Sequence, residues 1–319
     1  MRIPLRFPSA DKRFDVVGFG ENSLDFLTVV AEFPQPDSKQ RLQRFARMAG
    51  GQVATAMAAA ARLGCRARYV GSFGDDDLGS TARENLIREG VDLSAARSVP
   101  GATNRFAIVL VDARSGQRTV LWDSHPMLTM TTADVPQDAV ASGRMLLVDA
   151  TETVAAAHAA KCAREAGVPT MVDVDKVRPG VTDLLEQIDA IIAAEEFPTA
   201  LTGHDDLGRA LQTLGREFGA TLVTATLGAE GTLTWCQGRE IRTRAFPIDC
   251  VDSTGAGDVF RGAFAAACLR LADTNGELED VLTYANGAAA LNCRALGAQG
   301  ALPTAAEVDR LLLSASPRV

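Results

Sequence analysis

The strongest chemical signal in this sequence is the heptapeptide DSTGAGD at residues 252–258, which a helix-like pattern follows at once. Small residues at a helix start leave backbone N–H groups unobstructed, and the helix dipole adds about half a positive charge there. Gly255, Ala256 and Gly257 therefore predict an anion-binding hole. Asp258 follows in the first helical turn, where its carboxylate could take a proton from a hydroxyl held beside the anion. Proton acceptance next to charge stabilisation is what phosphoryl transfer requires.

The elements around this heptapeptide predict an α/β fold. From residue 144 onward, apolar strand-like runs alternate with helix-like stretches at residues 153–166 and 206–218. The runs are MLLVDA, PTMVDVD, DAIIAA and ATLVTATLG. Alternation of this kind predicts βαβ units and a mostly parallel sheet. We therefore predict a single α/β domain over residues 1–319.

Two separated segments predict a small β excursion from this domain. Residues 21–48 are mixed in polarity and are interrupted by Pro34 and Pro36, which favours edge strands over core strands. Residues 101–122 contain the runs RFAIVLVD and RTVLW, joined by turn residues 113–116, which predicts a hairpin. Two such pieces would pair if they cover a common cleft, so we expect a discontinuous β lid.

Composition and charge narrow the possible classes of protein. A chain of 319 residues with 47% hydrophobic content can bury a large core. The net charge of −8 argues against a nucleic-acid partner, because such binding depends on clustered Lys and Arg. No apolar run reaches the roughly 20 residues that span a bilayer, and the N-terminus lacks a signal-peptide stretch. We therefore expect a cytoplasmic protein with no membrane partner. The six cysteines and three histidines show no metal-ligand spacing.

Several motifs together resemble those of the ribokinase-like sugar kinases, the PfkB carbohydrate kinases, over nearly the whole chain. GENSLD resembles the family's first-strand segment, and GGQVATAMAAAARLG resembles its amino-terminal glycine signature. YVGSFGDDDLG, TLGAEG and DSTGAGDVFRGAF follow in the family's order, as its next strand and loop, its nucleotide loop and its carboxy-terminal signature. The resemblance implies a three-layer α/β domain with a mostly parallel central sheet and a small β lid.

The resemblance also implies roles for the matching residues. Asp258 would be the catalytic base, and the backbone of Gly255, Ala256 and Gly257 would form the hole for the transferring phosphoryl group. Carboxylates, amides and glycines suit the close approach of a polyol. The implied acceptor contacts are Asn22, Asp25, Gly50, Gly51, Gln52 and Thr55. The implied nucleotide contacts are Thr226, Gly228, Gly231 and Asn286.

The family uses Mg²⁺ with ATP, and many members bind a monovalent cation such as K⁺, for which Asp252 is the implied ligand here. The chain departs from the family at two places. Thr55 stands where the glycine signature usually carries asparagine. The family's Asn-x-x-Glu element, which organises metal and phosphates, falls on Ala194 and Phe197, with Glu195 and Glu196 as possible substitutes.

The function expected from the resemblance is transfer of the γ-phosphoryl group of ATP to a sugar hydroxyl. DSKQR and the run DVFRGAF resemble ketohexokinase-like and sulfofructose-kinase-like members, which favours a ketose. A nucleoside kinase and a catalytically silent sugar- or nucleotide-binding regulator stay open as alternatives. A sugar phosphate would need a second basic pocket, for which Lys39, Arg41, Arg105 and Arg178 are candidates. An apolar lid face would favour a homodimer through the lid.

Overall fold

A computed structural model describes residues 1–114, 117–272, 274 and 276–314 of the chain. Within this part of the chain the strands are β1 (Val16–Phe19), β2 (Ser23–Val30), β3 (Arg44–Gly50), β4 (Ala67–Val70), β5 (Ser72–Gly74), β6 (Arg97–Val99), β7 (Phe106–Asp112), β8 (Arg118–Asp123), β9 (Met145–Asp149), β10 (Thr170–Val174), β11 (Ala190–Ala194), β12 (Leu222–Thr226), β13 (Thr232–Cys236) and β14 (Arg239–Thr243). The helices are α1 (Gln52–Arg62), α2 (Asp77–Arg88), α3 (Gln137–Val140), α4 (Thr153–Glu165), α5 (Val181–Leu185), α6 (Glu196–Thr202), α7 (Leu207–Glu217), α8 (Ala256–Ala272), α9 (Leu278–Asn292) and α10 (Ala305–Ser314).

The central sheet has the strand order β14-β13-β12-β11-β10-β9-β1-β4. The pairs from β12 to β4 are parallel, whereas β13 and β14 extend the sheet in antiparallel pairing. The parallel strands are almost wholly apolar and buried, as expected where helices cover both faces. Their carboxyl ends meet at one edge of the sheet, which is where open α/β sheets bind ligands.

Helices lie on both faces of this sheet and form two apolar cores. Alternate residues of one strand point to opposite faces, so that Val16 belongs to one core and Val17 to the other. The first core contains residues of α1, α8 and α9, and the second contains residues of α4, α5 and α7. Helices α1 and α8 approach each other closely, because a Cβ at Gly262 of α8 would collide with the carbonyl oxygen of Ala56 in α1. Small residues on α1 permit this approach.

A second sheet, which we call the lid sheet, has the strand order β3-β2-β7-β8. Its strands come from the two segments predicted to pair, residues 21–48 and 101–122. The expectation of edge strands in the first segment is wrong for β2, which pairs with β3 on one side and with β7 on the other. Its apolar residues Leu24, Leu27 and Val30 are buried, as expected for a strand inside the sheet. Of the predicted turn at 113–116, residues 115 and 116 lie outside the described residues.

The outer face of the lid sheet exposes Phe45, Ile108 and Leu121. A homodimer through this face stays a prediction. Among the described residues, no helix is long and apolar enough to cross a membrane.

Candidate active site

Asp258 lies in the first turn of α8, at the carboxyl edge of the central sheet. The preceding loop turns sharply at Gly255, whose φ of 75° is a conformation that side chains with a Cβ rarely adopt. A Cβ at this position would also lie 2.5 Å from the Cα of Ala298. The glycine is therefore required both by the turn and by the neighbouring loop.

Backbone amides at the start of α8 are arranged to receive an anion. The N–H groups of Gly255 and Gly257 have no hydrogen-bond partner within the part of the chain that the structure describes. The N–H of Ala256 donates to the carbonyl oxygen of Ser253 at 3.2 Å, so it would have to turn away from that oxygen to bind a phosphoryl group. Two of the three predicted amides are therefore free in this conformation.

Asp252 fixes the loop that carries these amides. Its Oδ1 accepts hydrogen bonds from the backbone N–H and the hydroxyl of Thr254, at 2.9 and 2.7 Å. Its Oδ2 accepts from the backbone N–H of Gly297 at 2.8 Å. Oδ1 thus holds the turn of the loop itself, and Oδ2 ties the loop to the segment that follows α9. A K⁺ ligand at Asp252 stays a prediction.

Two buried charged residues stand beside Asp258. Asp173, in β10, acts on Asp258 through its negative charge, and Arg261 lies one helical turn beyond Asp258. The Nε of Arg261 lies 2.8 Å from Oδ1 of Asp173, and its side chain also donates to the carbonyl oxygen of Ile192 at 3.0 Å. Asp173 and Arg261 are only 2% and 3% exposed, so the ion pair is shielded from water.

This environment raises the pKa of Asp258 well above its usual range. Burial is the largest cause, and the negative charge of Asp173 adds to it, while Arg261 opposes the increase. A carboxylate with a raised pKa is a stronger proton acceptor, which suits a general base that must take a proton from an alcohol.

The carboxylate of Asp258 faces a cavity of about 190 Å³, which we call the Asp258 cavity. Asp25 of β2 lines the same cavity, and its Oδ1 accepts a hydrogen bond from the Ser23 hydroxyl at 2.6 Å. Burial raises the pKa of Asp25 to about 6. A Cβ at Gly50 would collide with the Asp25 carboxylate, so this glycine makes room for the carboxylate. Two carboxylates that line one small cavity are suited to holding and activating a polyol.

The structure separates the predicted acceptor residues into two groups. Gly51 and Gln52 line the Asp258 cavity together with Asp25. Asn22 lines an adjoining cavity instead, and its side-chain amide is held by Tyr69, Ser72 and Asn104.

Thr55 lies further from the cavities. It is fully buried, and its hydroxyl accepts a hydrogen bond from the Gln299 side chain at 3.0 Å. Its direct contact with an acceptor, like the other predicted roles, stays a prediction.

The lid sheet supplies the opposite wall of the Asp258 cavity. Ala107, Val109, Val120 and Trp122 face the cavity from β7 and β8. Arg118, at the start of β8, donates to the hydroxyls of Ser253 and Thr254 at 3.2 and 3.4 Å. The lid therefore contacts the anion-binding loop directly and brings a positive charge to it.

The predicted nucleotide residues lie on the other side of Asp258, toward β12 and β14. Thr226 ends β12, and Gly228 and Gly231 flank the short turn after it, both with positive φ. A Cβ at Gly231 would collide with the carbonyl oxygen of Thr243. The Asn286 side chain donates to the Thr243 hydroxyl at 3.0 Å. These residues form one wall two strands away from Asp173.

The structure explains why the family's Asn-x-x-Glu element has a phenylalanine, Phe197, in place of its glutamate. This side chain is 1% exposed and packs in the second core, a position that a glutamate could occupy only at a large desolvation cost. Glu195 and Glu196 are exposed at the carboxyl end of β11. No cluster of three or more acidic, His or Cys ligands occurs among the described residues.

The sequence analysis missed Asp173, Arg261 and Arg118. A signal existed for Arg261, because it stands three residues after Asp258 inside an otherwise apolar helix. An arginine buried in such a helix requires an anionic partner. No comparable signal marks Arg118, since its contact depends on how the lid sheet folds over the loop.

A helix start with free amides, a buried base and a lidded cavity beside it define a phosphotransferase that acts on an alcohol group. The family model for pfkB family carbohydrate kinases matches residues 13–305. The chain therefore belongs to the pfkB family of carbohydrate kinases, and the family recognised from the motifs is confirmed.

Individual relatives agree with this family. The chain is 29% identical over 299 residues to the ATP-dependent ribose-1-phosphate kinase of Halopiger xanaduensis, covering 93% of this chain and 97% of that protein. It is 28% identical over 323 residues to fructokinase-1 of Oryza sativa, covering 94% of this chain and 98% of that protein. Further relatives are named ribokinase and nucleoside kinase.

Among solved structures, Arabidopsis thaliana ribokinase in complex with ribose and ATP superposes with a TM-score of 0.81 at 27% identity, covering 94% of this chain and 98% of that one. The ribokinase-like fold and the ATP-dependent carbohydrate kinase class are thereby confirmed. The leaning toward ketohexokinase-like or sulfofructose-kinase-like members stays a prediction.

Proposed function

We propose that this chain transfers the γ-phosphoryl group of ATP to a hydroxyl of a sugar, with a ketose as the preferred acceptor and Asp258 as the catalytic base. The observation that carries the proposal is the position of Asp258. Its carboxylate faces the Asp258 cavity, while the free amides of Gly255 and Gly257 lie directly before it in the chain. An acceptor hydroxyl and a phosphoryl group can therefore meet at this one point.

Each neighbouring residue contributes to positioning or to charge. Asp25 would accept hydrogen bonds from acceptor hydroxyls, and its raised pKa would keep it partly protonated near pH 6. The amides at the start of α8 would stabilise the charge on the transferring phosphoryl group. Arg118 would add a positive charge beside the transferring phosphoryl group, because it contacts the hydroxyls of Ser253 and Thr254 in the loop that binds this group. Closure of the lid would also exclude water.

ATP would bind along the wall formed by Thr226, Gly228, Gly231 and Asn286. None of these residues lines the Asp258 cavity, so we place the nucleotide outside it, with the γ-phosphoryl group toward Asp258. Mg²⁺, when bound with the nucleotide, neutralises phosphate charge. Glu195 and Glu196 are the exposed carboxylates at this edge that could contact it through water.

A nucleoside is the second candidate acceptor. The cavity that adjoins the Asp258 cavity is partly lined by Trp122, Leu128 and Met130, which could pack against a base. A relative that is 28% identical over 267 residues carries the name nucleoside kinase.

The test is ADP release with Mg²⁺, ATP and K⁺ against ketoses, aldoses, sugar phosphates and nucleosides. We expect turnover with a sugar, and we expect Asp258→Asn to lower kcat by about two to four orders of magnitude while ATP still binds. Asp280→Asn, on the exposed surface of α9, is the matched control and should keep full activity. Equal turnover of Asp258→Asn and the parent would remove Asp258 from the mechanism. ATP binding without turnover on any acceptor would favour the silent regulator.

A further inference from the structure

A second cavity of about 380 Å³ adjoins the Asp258 cavity, and we call it the Arg178 cavity. The two cavities share Glu21, Arg105 and Trp122 in their walls. The Arg178 cavity is the larger of the two, since the Asp258 cavity measures about 190 Å³. An acceptor whose reacting hydroxyl lies beside Asp258 could therefore extend past the shared wall. The occupant of the larger space must match the charges that line it.

Two carboxylates, Glu21 and Glu152, line the Arg178 cavity. Glu21 lies 3.0 Å from the Nε of Arg105, and it also accepts a hydrogen bond from the Thr151 hydroxyl at 3.1 Å. Burial raises the pKa of Glu152, while Thr129 and Arg105 oppose the increase. Arg105 therefore offsets the charge of Glu21, the carboxylate that lines both cavities.

Arg178 is the group in this wall whose hydrogen-bonding capacity is unused. Its Nε is buried and has no hydrogen-bond partner within the part of the chain that the structure describes. Its nearest carboxylate is Asp175, at 3.6 Å from the other end of the guanidinium group, which is too long for a good hydrogen bond. The side chain is 33% exposed and lines the cavity. A buried donor without a partner is costly, so this guanidinium group is not fully satisfied by the protein. An anion in the cavity could accept hydrogen bonds from the part of the group that lines it.

Arg105 provides a second guanidinium group in the same wall. Its guanidinium carbon lies 4.4 Å from the centre of the Trp122 ring, so the lid strand β8 holds this arginine in place by stacking. Arginine pairs bind phosphate, carboxylate and sulfonate groups through several charged hydrogen bonds. Of the four basic residues that the sequence offered for such a pocket, Arg105 and Arg178 line it, whereas Lys39 and Arg41 are exposed elsewhere.

We infer that the Arg178 cavity binds an anionic group of the acceptor, such as a phosphate or a carboxylate, at the end of the sugar remote from the reacting hydroxyl. This inference rests on the proposed function, because it assumes that the reacting hydroxyl lies beside Asp258. The acceptor is then a sugar phosphate or a sugar acid.

Binding measured without nucleotide tests the inference separately from catalysis. Titration calorimetry on the full chain would compare fructose with fructose 1-phosphate and fructose 6-phosphate, ribose with ribose 1-phosphate and ribose 5-phosphate, and glucose with gluconate. The parent should bind one charged member at least about tenfold more tightly than its neutral counterpart, as expected for a charged hydrogen bond. Arg178→Gln should abolish that difference. Lys176→Gln, on the same segment but exposed and outside the cavity, removes the same charge and should leave it unchanged.

Three outcomes would overturn the inference: equal affinity for charged and neutral sugars in the parent, an equal loss in Arg178→Gln and Lys176→Gln, or tight binding of nucleosides alone. The neutral sugar serves as the internal control for folding, because Arg178→Gln should bind it as the parent does. A chain that binds sugar phosphates through Arg178 but releases no ADP would refute the proposed function and leave this inference intact. Turnover of neutral sugars with no preference for anions would support the proposed function and refute this inference.

Discussion

Replacing Asp173 by asparagine changes the charge beside Asp258 while keeping an oxygen for Arg261 to contact. Asp173 is buried, and its negative charge raises the pKa of Asp258, so the two carboxyl groups interact at close range. Two like charges about 4 Å apart interact by about 4 kcal/mol at an effective dielectric constant of about 20, which corresponds to about three pKa units. The new amide and local relaxation reduce this, and we expect the pKa of Asp258 to fall by about 1–3 units.

The sign of the effect on activity follows from the role of Asp258 as a base. A base works in its deprotonated form, so activity rises as pH increases through its pKa. Lowering the pKa of Asp258 should therefore move the acidic limb of kcat/KM to lower pH. Arg261 strengthens the shift, because its positive charge then acts on Asp258 alone. The maximal rate should fall, because a weaker base accepts the proton less readily.

The assay is kcat/KM for the best acceptor from pH 4.5 to 9 with Mg²⁺ and ATP. Asp183→Asn, which removes an exposed carboxylate of α5, is the control and should keep the parent profile. Glu21, Asp25 and Arg261 also act on the charge of Asp258, so their retention in the variant is essential. An acidic limb that stays in place or moves to higher pH would refute the reasoning, and the limb would then belong to another group, such as Asp25.

Two further substitutions test the anion-binding loop and the acceptor carboxylate. Gly255→Ala should lower kcat by about 10²–10³, because the added Cβ collides with Ala298 and displaces an anion-binding amide. Gly219 has a similar φ of 67° but open space around it, so Gly219→Ala should lose stability only. Equal kcat in the two variants would contradict this. Asp25→Asn should weaken acceptor binding. It should also stabilise the fold at pH 8 by up to about 3 kcal/mol, because the pKa of Asp25 is raised to about 6 in the folded state and its ionisation above that pH opposes folding. Urea unfolding should show that this gain disappears near pH 4, and a gain of equal size at both pH values would rule out ionisation as its cause.

The central sheet was predictable because its strands are continuous apolar runs separated by helix-like stretches. The strand β2 was harder to place, since its mixed polarity resembles that of an edge strand, and only the pairing of two segments far apart in the chain makes it interior. Pairings of this kind depend on tertiary contacts that no local pattern encodes.

The candidate site divides in the same way. Asp258 and its glycines stand in one heptapeptide, so the sequence alone indicates both their proximity and their chemistry. Asp173 comes from a strand more than eighty residues earlier in the chain, and only the parallel register brings it beneath α8. Thr55 shows the opposite limit, because a residue at a motif position can be wholly buried, with its hydroxyl bonded to Gln299.

The contrast between the lid strand β8 and the buried groups beneath α8 has an evolutionary consequence. All residues of β8 are exposed, and substitutions at exposed positions usually change stability by no more than about 0.5 kcal/mol. Breaking the buried pair of Asp173 and Arg261 would instead cost about 3–5 kcal/mol. Substitutions in β8 can therefore change the preferred acceptor at little cost in stability. Substitutions of Asp173 or Arg261 would destabilise the fold, so selection for folding removes them.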